Sequence, residues 1–370
     1  MIRLAFHNLF QNKIRFIISV GGVALAMTLI LSLDAVFTGV ERQITAYIDN
    51  SGADIFVSQK SVRNMHMTTS SMSRSVITDV EEIPGIEKVT PILYLTNMVV
   101  SGKERNLAYI IGLPENAPMG GPWKLFEGRS YPRTGETIID RNIAQKSKIG
   151  IGDDVEILGR KFKVVGLSEE TTNLVNSVAF ISISDFIKLW GNSNSISYLL
   201  IKINPEKSSS DIAAQIEANV KNVTAQVTAD FSSQERRVVK DMSTEVITMM
   251  NFIGFLIGLA VMALTVYTST LAHRSEYGVL KALGAHNKHL YQTVISYSLL
   301  SVLIGLALGI MITFLLSIIL TYLRLNLTLA ISGVSLLKVS SASLVIAAIS
   351  AILPIKQIAG LDPAMVFRGK

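Results

Sequence analysis

FIISVGGVALAMTLILSLDAVF, the stretch from Phe16 to Phe37, carries no charge before Asp34. Coiled as a helix it reaches about 33 Å, enough to cross a hydrocarbon core. Three more apolar runs follow. Ile247 to about Leu271 and Thr293 to about Leu320 contain no charged residue. Val334 to Leu353 is weaker, with Lys338 near its outer end and many Ser and Ala residues. A lysine there can snorkel to the interface, and small residues suit helix packing better than lipid contact. A cleavable signal peptide is the other reading of the first run, with Arg3, Lys13 and Arg15 ahead of it. Its cleavage site, Ala24-Leu25-Ala26, would fall inside an apolar run that continues to Leu33. Such a run normally ends before cleavage, so an uncleaved helix is expected.

The flanks set the orientation. Residues 1–15 carry Arg3, Lys13 and Arg15. The loop between the second and third spans carries Arg274, Lys281 and Lys288, with His273, His286 and His289. The tail after Leu353 adds Lys356, Arg368 and Lys370, whereas Thr321 to Gly333 holds only Arg324. The three basic flanks belong on the cytoplasmic side. Both termini are then inside, and residues about 41–245 outside. The expected fold class is an α-helical membrane protein with four transmembrane helices plus a soluble α+β extracytoplasmic domain. Its expected division is 1–40, 41–245 and 246–370, with a cytoplasmic loop at about 272–291.

Composition agrees. Of 370 residues, 49% are hydrophobic and only 17% charged, against roughly 25% in ordinary soluble domains. The net charge of +6 includes no Lys/Arg run interleaved with aromatics, so nucleic acid is not an expected partner. The absence of cysteine excludes disulfides and thiolate metal sites.

The polar middle mixes strands and helices. Asp54–Ser58 reads as a strand. Asn97–Val100 and Leu107–Ile111 can pair across Gly102-Lys103. The plainest hairpin is Asp154–Leu158 with Lys161–Val165 across Gly159-Arg160, where apolar residues alternate. Ser182–Trp190 reads as a helix begun by a Ser or Asp cap, and Asp211–Val220 as a second with Ile212, Ile216 and Val220 on one face. Gln234–Val246 continues without a breaker into the second span.

No catalytic constellation emerges. His66 is the middle region's only histidine, and the carboxylate pairs Glu81-Glu82, Asp153-Asp154 and Glu169-Glu170 read as solvated surface, because adjacent residues do not share a face. Met65-His66-Met67 is chemically suggestive, since thioether and imidazole suit Cu(I) or haem iron. The Ser/Thr-rich surroundings, without periodicity, favour the plainer reading of a loop that happens to contain Met, and no metal is expected.

The cytoplasmic loop HRSEYGVLKALGAHNKHLY, His273 to Tyr291, is too polar to span and short enough for a surface helix. Gly278 and Gly284 bracket Val279, Leu280 and Leu283 as its apolar face, and Arg274, Glu276 and Lys281 form the polar one. Gly254-x-x-x-Gly258 and Gly305-x-x-x-Gly309 lie in the second and third spans, where glycines one turn apart permit close helix approach and would suit a dimer.

The stretch Glu276–Ala285, EYGVLKALGA, resembles the "E-I-G-V-L-K-A-L-G-A" signature of MacB/FtsX-type ABC transporter permeases. Leu4–Phe16 is similar to that family's amphipathic leading helix, and Leu353–Arg368 to its "L-P…D-P-x-x-x-L-R" ending. Phe126–Arg129, Ile149–Asp153 and Phe162–Gly166 resemble its "G-R…G-L-x-V-G-D…F-x-V-V-G" core. Tyr277 stands where the family usually has Ile, Phe367 where it has Leu, and Ala272-His273 where an acidic-basic pair is common.

The resemblance implies a permease subunit with a MacB-like outer domain. Two copies would each dock on a nucleotide-binding ATPase through a coupling helix formed by Arg274, Glu276, Gly278, Val279, Leu280, Lys281, Leu283 and Gly284. No Gly-x-x-x-x-Gly-Lys-Ser/Thr pattern occurs, so the chain is expected to be no enzyme and to bind no cofactor, with ATP and Mg held by the partner. The implied work is mechanotransmission, in which motion of the outer domain exports a lipophilic, peptide or lipoprotein cargo. Membrane lipid and a periplasmic adaptor are the remaining implied partners. An FtsX-like transducer that activates a cell-wall hydrolase is the alternative, and the large outer domain favours export over it.

Overall fold

The computed structural model describes residues 13–172, 177–323 and 329–360. Most of the Leu4–Phe16 motif, Arg324, and the end of the Leu353–Arg368 motif lie outside them. The chain divides into two compact units, one from Val40 to Met242, the other from the residues on either side.

Helix α1 (Lys13–Ile44) opens the chain and the short α2 (Ala46–Asn50) follows. The sheet-based unit then runs through β1 (Ile55–Gln59), β2 (Met72–Ser73), α3 (Val76–Glu81), β3 (Ile86–Ser101), β4 (Glu104–Leu113), β5 (Leu125–Gly128) and β6 (Glu136–Asp140). It continues with α4 (Arg141–Ser147), β7 (Asp154–Ile157), β8 (Arg160–Ser168), β9 (Ser177–Ser182), α5 (Ile183–Trp190), β10 (Ser195–Ile196), β11 (Tyr198–Ile203), α6 (Ser209–Asn219) and β12 (Val223–Val227). The strands form one ten-stranded sheet in the order β12-β1-β11-β3-β4-β9-β6-β8-β5, with β7 against β3 and β8, and a separate β10-β2 pair. β4 with β9 and β6 with β8 are parallel; the other pairs in the sheet are antiparallel.

Both expected hairpins form. β3 pairs with β4 in the register Asn97↔Ala108, but the strands extend well beyond the alternating segment. In the second, Ile157 faces Arg160, so the turn is Leu158-Gly159, one residue earlier than expected. Both turn residues have positive φ, 54° and 76°, the conformation that matches strand twist in a two-residue hairpin. The motif pieces Phe126–Arg129 and Phe162–Gly166 meet as β5 and β8, with Gly128 opposite Gly166. A Cβ on Gly128 would lie 2.3 Å from the Val165 carbonyl oxygen, and one on Gly166 2.2 Å from that of Arg129. Only glycine fits either position.

The expected helices are present with sharper ends. Ser182 caps α5 by accepting the Ser184 N–H, and Ser208 caps α6 by accepting the Asp211 N–H. Ile212 and Ile216 pack beneath α6 with Val76 and Val80 of α3 on one core of the sheet. α4 and α5 cover a second core that includes Ile143 and Phe186.

The 45-residue α7 (Thr228–Ala272) is one unbroken helix, beginning six residues before the expected Gln234. α8 (Arg274–Ala282), α9 (Asn287–Tyr322), α10 (Gly333–Ser350) and α11 (Ile352–Ala359) complete the chain. Four stretches are long and apolar enough to cross a membrane: Phe16–Ile44, Thr228–Ala272, Asn287–Leu320 and Gly333–Ala359.

In this helical unit the glycine pairs are used within the chain. A Cβ on Gly254 would meet Ile30 at 2.8 Å, and one on Gly258 would meet Ala26 at 3.0 Å. Gly305 leaves no room beside Val23, nor Gly309 beside Met27. The expectation that these glycines serve a dimer is therefore corrected: α1 lies against α7 and α9, and the glycines let it approach both. Polar links add to the packing. Thr28 donates to the Gly309 carbonyl and Ser298 to that of Ala347. Asp34 accepts from Ser335 and lies 3.2 Å from the Lys338 ammonium. Lys338 therefore has an acidic partner within the bundle.

Candidate functional site

α8 is a nine-residue helix set between two membrane-length helices. Tyr277 is buried and Leu280 packs on the same bundle core, beside Leu290, Val294 and Ile358. Tyr277, which replaces the family's usual Ile, thus occupies a core position. Val279 and Leu283 point the other way, 43% and 80% exposed. The expected grouping of Val279, Leu280 and Leu283 on one face is corrected. Helix phase alone does not divide them, since Leu280 lies about 60° from both Tyr277 and Leu283. Burial does, with Tyr277 and Leu280 packed on the bundle and Val279 and Leu283 left exposed as an apolar pair.

The ends of α8 are fixed locally. Gly284, at φ 91°, donates to the Lys281 carbonyl, and Ala285 donates to that of Leu280. This is the double hydrogen bond of a left-handed helix stop, which favours glycine. The Lys281 ammonium donates to the Ala359 carbonyl, tying α8 to the end of α11. Lys281 is thereby removed from the expected polar face, where Arg274 and Glu276 remain exposed. Glu276 lies 3.1 Å from Nδ1 of His273. Gly278 is buried on the packed side.

The Met65-His66-Met67 candidate does not converge. Met65 is 2% exposed and sits in the core, whereas Met67 is 62% exposed. His66 turns to Glu235 of α7, its Nδ1 2.7 Å from Oε1. Among the described residues no three His, Asp or Glu side chains are grouped to hold a metal. Sequence reasoning missed what stands there instead. Glu235 is fully buried, its Oε2 accepts the Met65 N–H at 2.6 Å, and the His66 ring lies tilted against Tyr109 with Tyr94 edge-on beyond. Burial, with the Glu235 charge adding to it, pushes the Tyr94 and Tyr198 phenols above their ordinary range.

The carboxylate pairs lie at the surface as expected, with one addition. Glu169 bridges Lys124 and Arg141, and Glu170 also meets Lys124. The hydrogen bond from Lys124, followed by the Arg141 charge, holds Glu169 below its usual range.

Four helices long and apolar enough to cross a membrane, together with a sheet-based α+β unit, define a multi-pass membrane protein with a large soluble domain. The MacB-like periplasmic core domain family matches residues 16–219, more than half of the chain, and the FtsX-like permease C-terminal family matches residues 248–363. The chain belongs to the ABC transporter permeases of the MacB/FtsX type, multi-pass proteins of the inner membrane that work with an ATPase subunit. An uncharacterized ABC transporter permease of Mycobacterium tuberculosis is 18% identical over 369 residues, covering both chains in full. One from Methanocaldococcus jannaschii is 22% identical over 402 residues, covering 100% of this chain and 98% of that one. The solved periplasmic region of MacB from Actinobacillus actinomycetemcomitans aligns at 15% identity and TM-score 0.39, over 50% of this chain and 94% of that structure.

Proposed function

We propose that α8 is the coupling helix through which the chain engages its ATPase, and that two copies of the chain assemble with two ATPase subunits. The observation that carries this reading is the exposure of Val279 and Leu283 on a helix whose other side is anchored in the bundle. An exposed apolar pair flanked by Arg274 and Glu276 suits the groove of a partner, with apolar contact inside and charge at the rim. Anchoring through Tyr277, Leu280 and Lys281 would let movement of the partner reach the membrane helices rather than bend a loose loop.

ATP and Mg are held by the partner, whose closure drives the cycle. Helix α7 carries the motion outward by mechanotransmission, and the outer unit extrudes a lipophilic, peptide or lipoprotein cargo. Both termini and α8 face the cytoplasm, lipid surrounds the bundle, and a periplasmic adaptor is a further partner.

The test is to solubilise the chain in mild detergent with the ABC ATPase encoded beside it, purify through a tag on this chain, and measure complex mass and ATP hydrolysis. The expected result is two copies of each subunit with vanadate-sensitive turnover. Val279→Asp with Leu283→Asp should lose the ATPase while the chain still inserts. A chain that captures no ATPase, or a double variant that captures it as well as the original, overturns the assignment.

A further inference from the structure

The sheet-based unit contains an open cleft of about 870 Å³, within the usual size of ligand sites. Its floor is aliphatic, made of the buried Met72, Val76 and Ile83. One wall is α3 with the residue on either side of it. There Ser75, Asp79 and Glu82 recur at i, i+4 and i+7, so all three share one face and line the cleft. Lys221 and Asn222, in the turn between α6 and β12, line it as well. Among the described residues none of Asp79, Glu82 and Lys221 makes an ion pair. Two carboxylates against one ammonium leave the lining with a net negative charge.

The main chain contributes too. Among the described residues β2 pairs only with β10, in the register Ser73↔Ser195 and Met72↔Ile196. The Arg74 N–H donates to the Asn194 carbonyl. In an antiparallel ladder the bonding edge alternates, so the Ser73 N–H and C=O point to the edge that β10 leaves open. Ser73 lines the cleft. A donor and an acceptor on one strand edge, above an apolar floor, match the repeating amide of an extended chain. A glycan would call for an aromatic platform to stack on, and the lining has none.

We propose that this cleft binds an extended polypeptide segment carrying a basic side chain. Its backbone pairs with Ser73, an apolar side chain reaches Val76 and Ile83, and its cationic group meets Asp79 and Glu82. Lys221 takes an acidic group or a chain terminus. This goes beyond the permease reading and does not rest on it. The test needs no ATPase, so either can fail alone.

The full chain would be placed in nanodiscs of phosphatidylcholine and phosphatidylglycerol. Fluorescence anisotropy would follow three labelled probes: an octapeptide pool with lysine fixed at the centre, the same pool with glutamate fixed, and chitotetraose. The lysine pool should bind saturably and more tightly than the glutamate pool. It should also slow hydrogen exchange across residues 71–82. Asp79→Asn with Glu82→Gln should weaken it about fivefold to tenfold, while Glu104→Gln, an exposed acid elsewhere on the unit, leaves it unchanged. Both altered wall residues are exposed, so an unchanged melting temperature shows that the fold is kept. Absence of saturable binding, equal binding by both pools or by the double variant, or binding of chitotetraose alone overturns the proposal.

Discussion

Burying the Glu235 carboxylate beneath tyrosines costs several kcal/mol, offset by the His66 ring nitrogen 2.7 Å from Oε1 and the Met65 N–H donated to Oε2. His66→Ala removes the ring nitrogen that lies 2.7 Å from the buried carboxylate and should destabilise the protein by about 3–5 kcal/mol. Adding Glu235→Gln removes the stranded charge and keeps an acceptor for the Met65 N–H, so the double variant should recover part of the loss. Thermal melts of the four proteins form a double-mutant cycle, and strictly additive effects would show that the two residues are not coupled. Glu169 gives a pH signature instead. Its folded-state pKa is lowered by Lys124 and Arg141, so its stabilisation is fully present above the unfolded glutamate value and is lost as pH falls through the folded one. Glu169→Gln should therefore lower the melting temperature slightly at neutral pH, with the difference fading below about pH 4. A difference that persists at acid pH would assign the effect to packing. The Met65-His66-Met67 stretch shows the limit of sequence reading at this same scale. Adjacent Met and His residues suggest a ligand set, but which way each side chain points depends on Glu235, 170 residues from Met65.

Helix contacts decide the next scale. Gly305→Leu should disrupt the seat of α1 against α9, because a Cβ there already meets Val23 at 2.7 Å. Gly21→Leu on α1 should be tolerated, since nothing lies within 4 Å of its Cβ position. The measurement is the yield of monodisperse protein and its melting temperature, and equal loss in both variants would refute the packing assigned to Gly305. The sequence pattern revealed the glycine spacing but not the partner, because one turn of separation says only that some backbone comes close. Strands show a similar limit. β7 and β8 alternate and were legible. All six residues of β9 are buried, as are five of the six in β11. Strands buried on both faces lose the period of two that marks a half-exposed strand. α8 was legible as a helix through its bracketing glycines. Its faces were not, since a nine-residue helix that packs on one side can carry apolar residues on both.

At the scale of the molecule, the spans were the most legible feature, because a run of some twenty apolar residues has few other uses. The sheet order was the least legible, since β1 lies between β11 and β12, more than 130 residues away in sequence. Orientation rests on the basic flanks alone, and the absence of cysteine makes it directly testable. Single-cysteine variants carry one thiol each, so labelling needs no background correction. Lys103→Cys, at the exposed turn between β3 and β4, should react with a membrane-impermeant maleimide in cells whose outer permeability barrier has been opened. Ser275→Cys, on α8, should react only after the inner membrane is breached. Under the expected orientation, Arg274, Lys281 and Lys288 are the charges that would hold this loop inside. Replacing all three with Gln should therefore raise outside labelling at Ser275→Cys, or lower the amount of inserted protein. If Ser275→Cys labels in intact inner membranes while Lys103→Cys does not, the topology is inverted. The exposed pair Val279 and Leu283 would then face away from any cytoplasmic ATPase, and the coupling role would fall with it.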